Sequence, residues 1–392
     1  MVDYDVEVTE ESWFSRLGGA IAGVGFGLLL FVVSFPLLFW NEGRAVKTAK
    51  SLTEASGLVV TVPSTKVDNK FQSKLIHTKG KATPQGSLMD PTFMIKVNGL
   101  ILKRSVEMFQ WKQTKSEKTE KKLGGGTRTI TVYRYSRGWD FGRNDSSKFN
   151  TEEGHENPEL KYKEWSDRAK TVKIGGYRLS ANLAALLSQT QDLTINEAVK
   201  KQIPSALLGS SQFVGNTLYT GDPKAPEVGD LKIKWKWLPA SNVSVVAKQD
   251  NGKLTKYTTS NGRGVGLVML GDHSAQAMIK QAQADNKIMT WILRFLGFFL
   301  MVLGMFLMLN PLSVLADVLP ILGDLVGTGA FLVSFLTGVA LSSVTIAIGW
   351  VTYRPLVGIP LLVLGVGALV LLVGRVRSNS GGRHELDEAY DD

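Results

Sequence analysis

The sequence contains no cysteine, and only four of its 392 residues are histidine. The lack of cysteine excludes disulfide bonds, thiolate metal sites and cysteine nucleophiles. None of the histidines has another histidine three to five residues away, the spacing typical of zinc-binding motifs. We therefore expect no metal and no other cofactor. The histidines are His77, His155, His273 and His384.

Motifs of catalysis are also scarce. Asp272, His273 and Ser274 are adjacent, which predicts a polar turn rather than a catalytic triad, and no Gly-x-Ser-x-Gly nucleophile elbow exists. Residues 124–126 are three glycines without the Lys-Ser/Thr pair of a phosphate-binding loop. We expect no enzyme. A hydrolase built on His77, His155 and His273 is retained only as a third hypothesis.

Charge is absent, or nearly so, from four long apolar runs. Residues 17–40, 327–351 and 355–374 carry none, and residues 288–309 carry only Arg294. A helix needs about 20 mostly apolar residues to cross a bilayer. The sequence therefore predicts a multi-pass α-helical membrane protein with four spans, with tails at 1–16 and 375–392 and a large domain at 41–287.

The predicted spans contain small and charged residues that could pack helices together or have a function in the membrane. Gly19 and Gly23, and Gly23 and Gly27, form small-xxx-small pairs that favour close helix packing. Arg294 lies about one turn inside its span, so its side chain either reaches the headgroups or has a function within the membrane. Arg354 lies in the short loop before the last span.

Residues 311–326 predict a separate amphipathic helix at the membrane interface. Asp317 and Asp324 are seven residues apart and would share one helical face, while leucines recur on another. A re-entrant segment, with both carboxylates facing a polar cavity, is the alternative. The aromatic residues expected to form a belt at the membrane interfaces are Trp40, Trp291, Trp350 and Tyr353.

The domain at 41–287 is predicted to be β-rich and of the α+β class. Short runs of β-branched and aromatic residues alternate with Gly, Pro and Asn, and two stretches at 180–189 and 196–208 have helical spacing. Residues 232–237 (KIKWKW) alternate Lys with apolar residues, which predicts a half-buried strand; a platform for nucleic acid or lipid headgroups is the alternative. We expect no nucleic-acid partner.

Several motifs resemble one known family. The segment Asn41, Glu42, Gly43, Arg44 and Ala45 after the first apolar run is similar to a signature of the transmembrane protein 43 (LUMA) family. Other runs that carry the resemblance are 74–77 (KLIH), 104–111 (RSVEMFQW), 154–158 (GHENP), 226–231 (PEVGDL), 271–275 (GDHSA) and 353–355 (YRP). The resemblance extends over nearly the whole chain.

This resemblance implies four spans, cytosolic termini and a lumenal domain, an orientation that the charges beside the spans leave open. It also implies a membrane scaffold without catalysis, in the endoplasmic reticulum and inner nuclear membrane of a eukaryote, or in the inner membrane of a prokaryote with the domain extracytoplasmic. We expect residues 41–44 to form a junction in which Gly43 permits a turn, and Glu42 and Arg44 pair or contact headgroups.

Two functional hypotheses follow. The first is a non-enzymatic scaffold whose partners are the lipid bilayer, further copies of itself and other membrane proteins. The second is a lipid- or ion-handling, channel-like assembly that uses Arg294, Asp317, Asp324 and Arg354. The two differ in whether the arginines meet carboxylates along a polar path inside the membrane.

Overall fold

The computed structural model describes residues 3–209, 211–360 and 363. The chain divides into two compact units. The β-unit comprises residues up to Glu10, Lys50–Glu120 and Thr127–Gln283. The helical unit comprises Glu11–Ala49, Lys121–Gly126 and the chain from Ala284 onward.

Three helices are long and apolar enough to cross a membrane: α1, α5 and α6 below. They contain the predicted runs 17–40, 288–309 and 327–351 and extend beyond them. The prediction of four spans is wrong for the described part of the chain, which holds only these three. The predicted fourth span and C-terminal tail, 355–374 and 375–392, lie largely outside the described residues. The helices are α1 (Trp13–Leu58), α2 (Ala181–Ala184), α3 (Glu197–Lys200), α4 (Ser205–Leu208), α5 (Ala275–Ala316) and α6 (Pro320–Tyr353).

Helices are minor elements of the predicted α+β domain. The stretches at 180–189 and 196–208 form only the one-turn helices α2, α3 and α4, because Pro204 and the following Gly209 interrupt the second stretch. The strands are β1 (Asp3–Glu11), β2 (Val60–Thr61), β3 (Leu75–Pro84), β4 (Leu88–Met89), β5 (Lys96–Val97), β6 (Gly99–Lys121), β7 (Thr127–Phe141), β8 (Trp165–Arg168), β9 (Val172–Ile174), β10 (Tyr177–Leu179), β11 (Gln191–Asp192), β12 (Gln212–Val214), β13 (Thr217–Tyr219), β14 (Leu231–Pro239), β15 (Ser241–Asp250), β16 (Lys253–Thr255), β17 (Tyr257–Thr258), β18 (Gly264–Val265) and β19 (Leu267–Leu270).

Two sheets dominate the β-unit. The eight-stranded sheet has the order β1-β7-β6-β14-β13-β12, with β8 beside β6 and β11 beside β14. The seven-stranded sheet has the order β19-β15-β16-β10-β9-β3-β2, and β15 also pairs with β3. Strand β14 is half-buried, as its alternation predicts: Leu231, Ile233 and Trp235 are buried, and the intervening lysines point to the other face.

The ends of two long helices help to form the core of the β-unit. Leu52 and Ala55 of α1 pack in one apolar cluster with Met278 and Ile279 of α5 and with Val246 of β15. These parts of α1 and α5 belong to the β-unit.

The separate interfacial helix predicted at 311–326 is absent. Helix α5 continues through Pro311 to Ala316, and α6 begins at Pro320. Proline fits the first helical position because its fixed φ suits a helix start and its missing N–H needs no partner there. The break in the chain therefore falls between Ala316 and Pro320, and Asp317 lies in the turn between two long helices.

Candidate functional site: ion pairs of the helical unit

Small residues bring the three long helices into close contact. A Cβ atom added at Gly27 of α1 would lie 2.7 Å from the carbonyl oxygen of Gly304 in α5. One added at Gly297 would lie 2.5 Å from Leu38, and Gly338 of α6 faces Val302 of α5 just as closely. In lipid, where apolar burial gives little gain, such packing is a main source of helix association.

Near one end of these helices lies the Glu42 cluster, which consists of Glu42, Arg294 and Trp350. Arg294 donates from Nε to Glu42 Oε1 at 2.7 Å and from Nη2 to Oε2 at 2.8 Å. The indole Nε1 of Trp350 donates to the same Oε2 at 2.9 Å. Glu42 is only 2% exposed. The guanidinium also lies 4.9 Å from the Trp291 ring and 5.6 Å from the Trp350 ring. Three donors therefore satisfy the carboxylate.

Further hydrogen bonds of amide, hydroxyl and guanidinium groups connect α1 with α5 beside the Glu42 cluster. Asn41 Nδ2 donates to the Thr290 carbonyl at 3.0 Å. Arg44 donates to Asn286 Oδ1 and to Thr290 Oγ1, each at 3.0 Å. Asn286 Nδ2 in turn donates to the Ala45 carbonyl at 3.0 Å. Glu42 and Arg44 thus bond to α5 rather than to each other.

Gly43 does not form the predicted turn, because α1 is continuous from Trp13 to Leu58. Gly43 instead avoids a collision with α6, because a Cβ atom there would lie 2.6 Å from Cζ of the Tyr353 ring. Gly349 of α6 is similar, since its Cβ atom would lie 2.9 Å from Cβ of Glu42. Glycine at both positions lets α6 approach the Glu42 cluster.

At the other end lies the Asp317 cluster, which consists of Arg16, Lys121, Asp317 and Asp324. Asp317 is 1% exposed and accepts hydrogen bonds from Arg16 Nη2 and, at 2.6 Å, from Lys121 Nζ. Lys121 also donates to the exposed Asp324 at 2.7 Å. A side chain at Gly323 would collide with the Asp317 carboxylate. The cluster joins the start of α1, the turn before α6 and residue 121.

The structure therefore divides the four predicted polar residues among three places. Arg294 belongs to the Glu42 cluster, and Asp317 and Asp324 to the Asp317 cluster. Arg354 follows the end of α6, where its backbone N–H donates to the Trp350 carbonyl at 2.7 Å. Residues 17–41, 295–316 and 325–353 carry no charge, so no charged side chain of the three helices lies between the clusters.

Several hydroxyl groups between the clusters donate to a carbonyl of their own helix, whereas Ser313 of α5 donates to the Gly323 carbonyl of α6. Ser34 donates to the Phe31 carbonyl, Ser334 to Ala330, and Thr345 to Leu341. These bonds use the hydroxyl hydrogen within the chain. The described residues of this region thus form a packed interior with polar groups concentrated at its two ends.

The three predicted packing glycines differ in their surroundings. Gly27 is buried against α5, but a Cβ atom at Gly19 or Gly23 would meet nothing within 4 Å. Large apolar side chains elsewhere on α1, including Phe26, Leu28 and Leu29, are exposed. Exposed apolar surface of this extent is typical of helices that face lipid or another membrane protein.

The three histidines in the described part of the chain do not assemble into one site. His77 is buried, with Nε2 2.9 Å from the His273 carbonyl and Nδ1 3.1 Å from Thr61 Oγ1. His155 instead stacks on Tyr135 and bonds to Asp3. Within the described residues no group of three His, Asp or Glu side chains is arranged to hold a metal ion.

Burial of His77 makes the stability of the folded protein depend on pH. It lowers the pKa of the imidazole below the ordinary value of 6.5, an effect that the contact with the His273 carbonyl opposes and the charge of Lys79 reinforces. The unfolded chain therefore takes up this proton at a higher pH than the folded protein. Stability from the neutral ring is complete above about pH 6.5 and declines as the pH falls, by at most about 1.4 kcal/mol per pH unit.

We expect this loss to be smaller in His77→Gln, which cannot titrate. The measurement is the unfolding midpoint of both proteins in detergent between about pH 8 and about pH 5.5. Parallel profiles for the two proteins would show that His77 does not contribute.

Sequence reasoning missed most partners in these clusters. Trp350 was assigned to an aromatic belt, whereas its indole contacts Glu42. Arg16 and Lys121 carried no motif, and their partner Asp317 is 301 and 196 residues away. The sequence signals were the charge of Arg294 inside an apolar run, where an unpaired charge is costly, and the motif at 41–44 that contains Glu42.

Comparison with known proteins identifies the family. The sequence profile described as transmembrane protein 43 matches residues 108–355. The chain belongs to the transmembrane protein 43 family. The mouse transmembrane protein 43 is 32% identical over 388 residues, covering 95% of each chain. The human protein is 32% identical over 381 residues, covering 94% of this chain and 93% of its own.

The family extends beyond mammals. The Drosophila melanogaster transmembrane protein 43 homolog is 30% identical over 353 residues, covering 88% of this chain and 92% of its own. No solved structure matches the chain. The resemblance drawn from the motifs is confirmed, and the chain is a membrane protein with three candidate spanning helices among its described residues.

Proposed function

We propose that this member of the transmembrane protein 43 family is a non-enzymatic scaffold that self-associates in the membrane and organises lipid or other membrane proteins. One observation carries the proposal: the buried carboxylate of Glu42 has both oxygens occupied by donors of the same chain. A charge that binds or passes a substrate needs an accessible coordination position. Glu42 has fixed partners instead, which favours a role in holding α1, α5 and α6 together.

The second candidate, a lipid- or ion-handling assembly, has one observation in its favour. Arg294 meets a carboxylate, as that hypothesis requires. A path across the helices would need further polar groups between the Glu42 and Asp317 clusters. About 25 charge-free residues of α1 separate the two, a rise of about 38 Å. This separation favours the scaffold.

Self-association is proposed through the face of α1 that includes Gly19 and Gly23. A Cβ atom added at either glycine would meet no atom of the described residues within 4 Å, whereas Gly27 is already packed against α5. Two copies of α1 could approach closely there, since small residues permit the backbone contact that stabilises helix pairs in lipid. The exposed apolar side chains around them would contact lipid.

We expect Gly23→Leu to weaken self-association while the helical unit stays folded, because no neighbouring atom lies within 4 Å of the new Cβ position. The measurement is chemical cross-linking in native membranes, with sedimentation in detergent as a second assay. Gly25→Leu is the matched control: it makes the same change at another open position, about 200° away around the helix.

Each outcome has a distinct meaning. Only monomer in the parent protein would end the idea of a self-associating scaffold. An unchanged oligomer in Gly23→Leu would move the contact to another surface. In parallel, ion flux through vesicles containing the purified protein tests the second candidate: a current that changes in Glu42→Gln would replace the scaffold proposal.

A further inference from the structure

Three cations stand in one cross-strand row of the seven-stranded sheet. Arg178 of β10 is directly opposite Lys173 of β9 on one side and Lys253 of β16 on the other. All three side chains are exposed on the face that points away from the core residues Ile174, Tyr177 and Leu254. Like charges directly opposite each other destabilise a sheet.

No described carboxylate forms an ion pair with any of these three cations. Asp250 is opposite Lys253 in β15, but its Oδ1 accepts from Gln72 Nε2 at 3.5 Å. Asp68, on the nearby segment, is paired with Lys70 at 3.1 Å. Three cations beside the single carboxylate of Asp250 leave the row with a net positive charge, which an external anion would neutralise.

An open cleft of about 550 Å³ lies at this row. Lys173 and Arg178 line it, together with the amide side chains of Asn69 and Asn251 and the backbone of Gly252. Asn251 and Gly252 have positive φ values of 49° and 74° and form the tight turn between β15 and β16. None of the described residues that line the cleft is acidic. Its volume is within the range of small-molecule sites.

We propose that this cleft binds a phosphate group, either of a soluble phosphorylated compound or of a lipid headgroup. The planar fork of Arg178 can donate two hydrogen bonds to a phosphate, and Lys173 and Lys253 add point charges on either side. The Asn69 and Asn251 amides can donate to the rest of the ligand. This site is in the β-unit and is independent of the scaffold proposal.

The test uses the purified full-length protein and isothermal titration calorimetry with two probes, pyrophosphate and dioctanoyl phosphatidic acid. Dioctanoyl phosphatidylcholine serves as the control for the acyl chains. We expect Kd values below about 1 mM for at least one phosphate probe. Binding of phosphatidic acid more than about tenfold tighter than pyrophosphate indicates a lipid headgroup, and similar affinities indicate a soluble ligand.

The variant Lys173→Gln/Arg178→Gln should weaken binding about tenfold or more, since each lost charge-assisted hydrogen bond to an anion has about that effect. The matched control is Lys234→Gln/Lys236→Gln, which removes the same charge from the eight-stranded sheet. If the first variant does not fold, Arg178→Lys keeps the charge but removes the fork, and binding should still weaken. Absence of binding by both probes, or an equal loss in the control variant, overturns the proposal.

Discussion

Glu42→Ala should destabilise the helical unit by about 3–5 kcal/mol, the usual cost of leaving one partner of a buried ion pair without the other. The substitution removes both acceptors of the Arg294 guanidinium, which is only 14% exposed, and the acceptor of the Trp350 indole. The measurement is the unfolding midpoint in detergent, followed by size-exclusion fluorescence after heating. We expect a lower midpoint and a larger aggregated fraction.

A double variant provides the control for this prediction. Replacement of a buried ion pair by apolar residues of similar volume is often neutral or stabilising. Glu42→Leu combined with Arg294→Met should therefore recover most of the stability lost in Glu42→Ala. If Glu42→Ala leaves the midpoint unchanged, the carboxylate is not the group that holds Arg294. If the double variant is as unstable as the single one, packing rather than charge explains the effect.

Asp317→Asn should also have a large effect, about 3 kcal/mol, because Arg16 and Lys121 both donate to this carboxylate in a buried position. The matched control is Asp324→Asn. Its carboxylate bonds to the same Lys121 but is 72% exposed, and exposed ion pairs contribute less than about 1 kcal/mol.

The comparison of these two variants decides between structural and surface roles for the acidic pair. Thermal unfolding in detergent at low and high salt is the measurement, since salt screens the exposed pair more than the buried one. Equal effects of Asp317→Asn and Asp324→Asn would contradict the burial of Asp317.

The long helices could be predicted from the sequence because their signal is local. An uncharged run of about 20 residues requires no knowledge of its neighbours, and α1, α5 and α6 contain three such runs. The alternation in β14 was equally local and predicted its buried face. At residues 317–319, however, the helical spacing of apolar residues continues through the turn between α5 and α6. This spacing predicts a separate helix, which the structure does not form.

The pairs within the clusters could not be predicted, since no local pattern records which distant residue a charge meets. Arg294 was interpreted from its depth in the span, yet its environment depends on Glu42, 252 residues earlier. Gly43 is part of the family motif, but glycine is favoured both in a turn and where two helices are in close contact. The continuity of α1 through residue 43 and the Tyr353 ring beside it distinguish the two.

The sequence separation within the Glu42 cluster has a consequence for biosynthesis. Glu42 is made 252 residues before Arg294 and 308 residues before Trp350. During that interval α1 carries an acidic side chain without its partners, at a cost of up to about 3 kcal/mol if the helix has already entered the bilayer. Helix α1 therefore gains its final partners only after α5 and α6 have been synthesised and inserted. A premature stop before residue 294 would leave α1 with a carboxylate that lacks both Arg294 and Trp350.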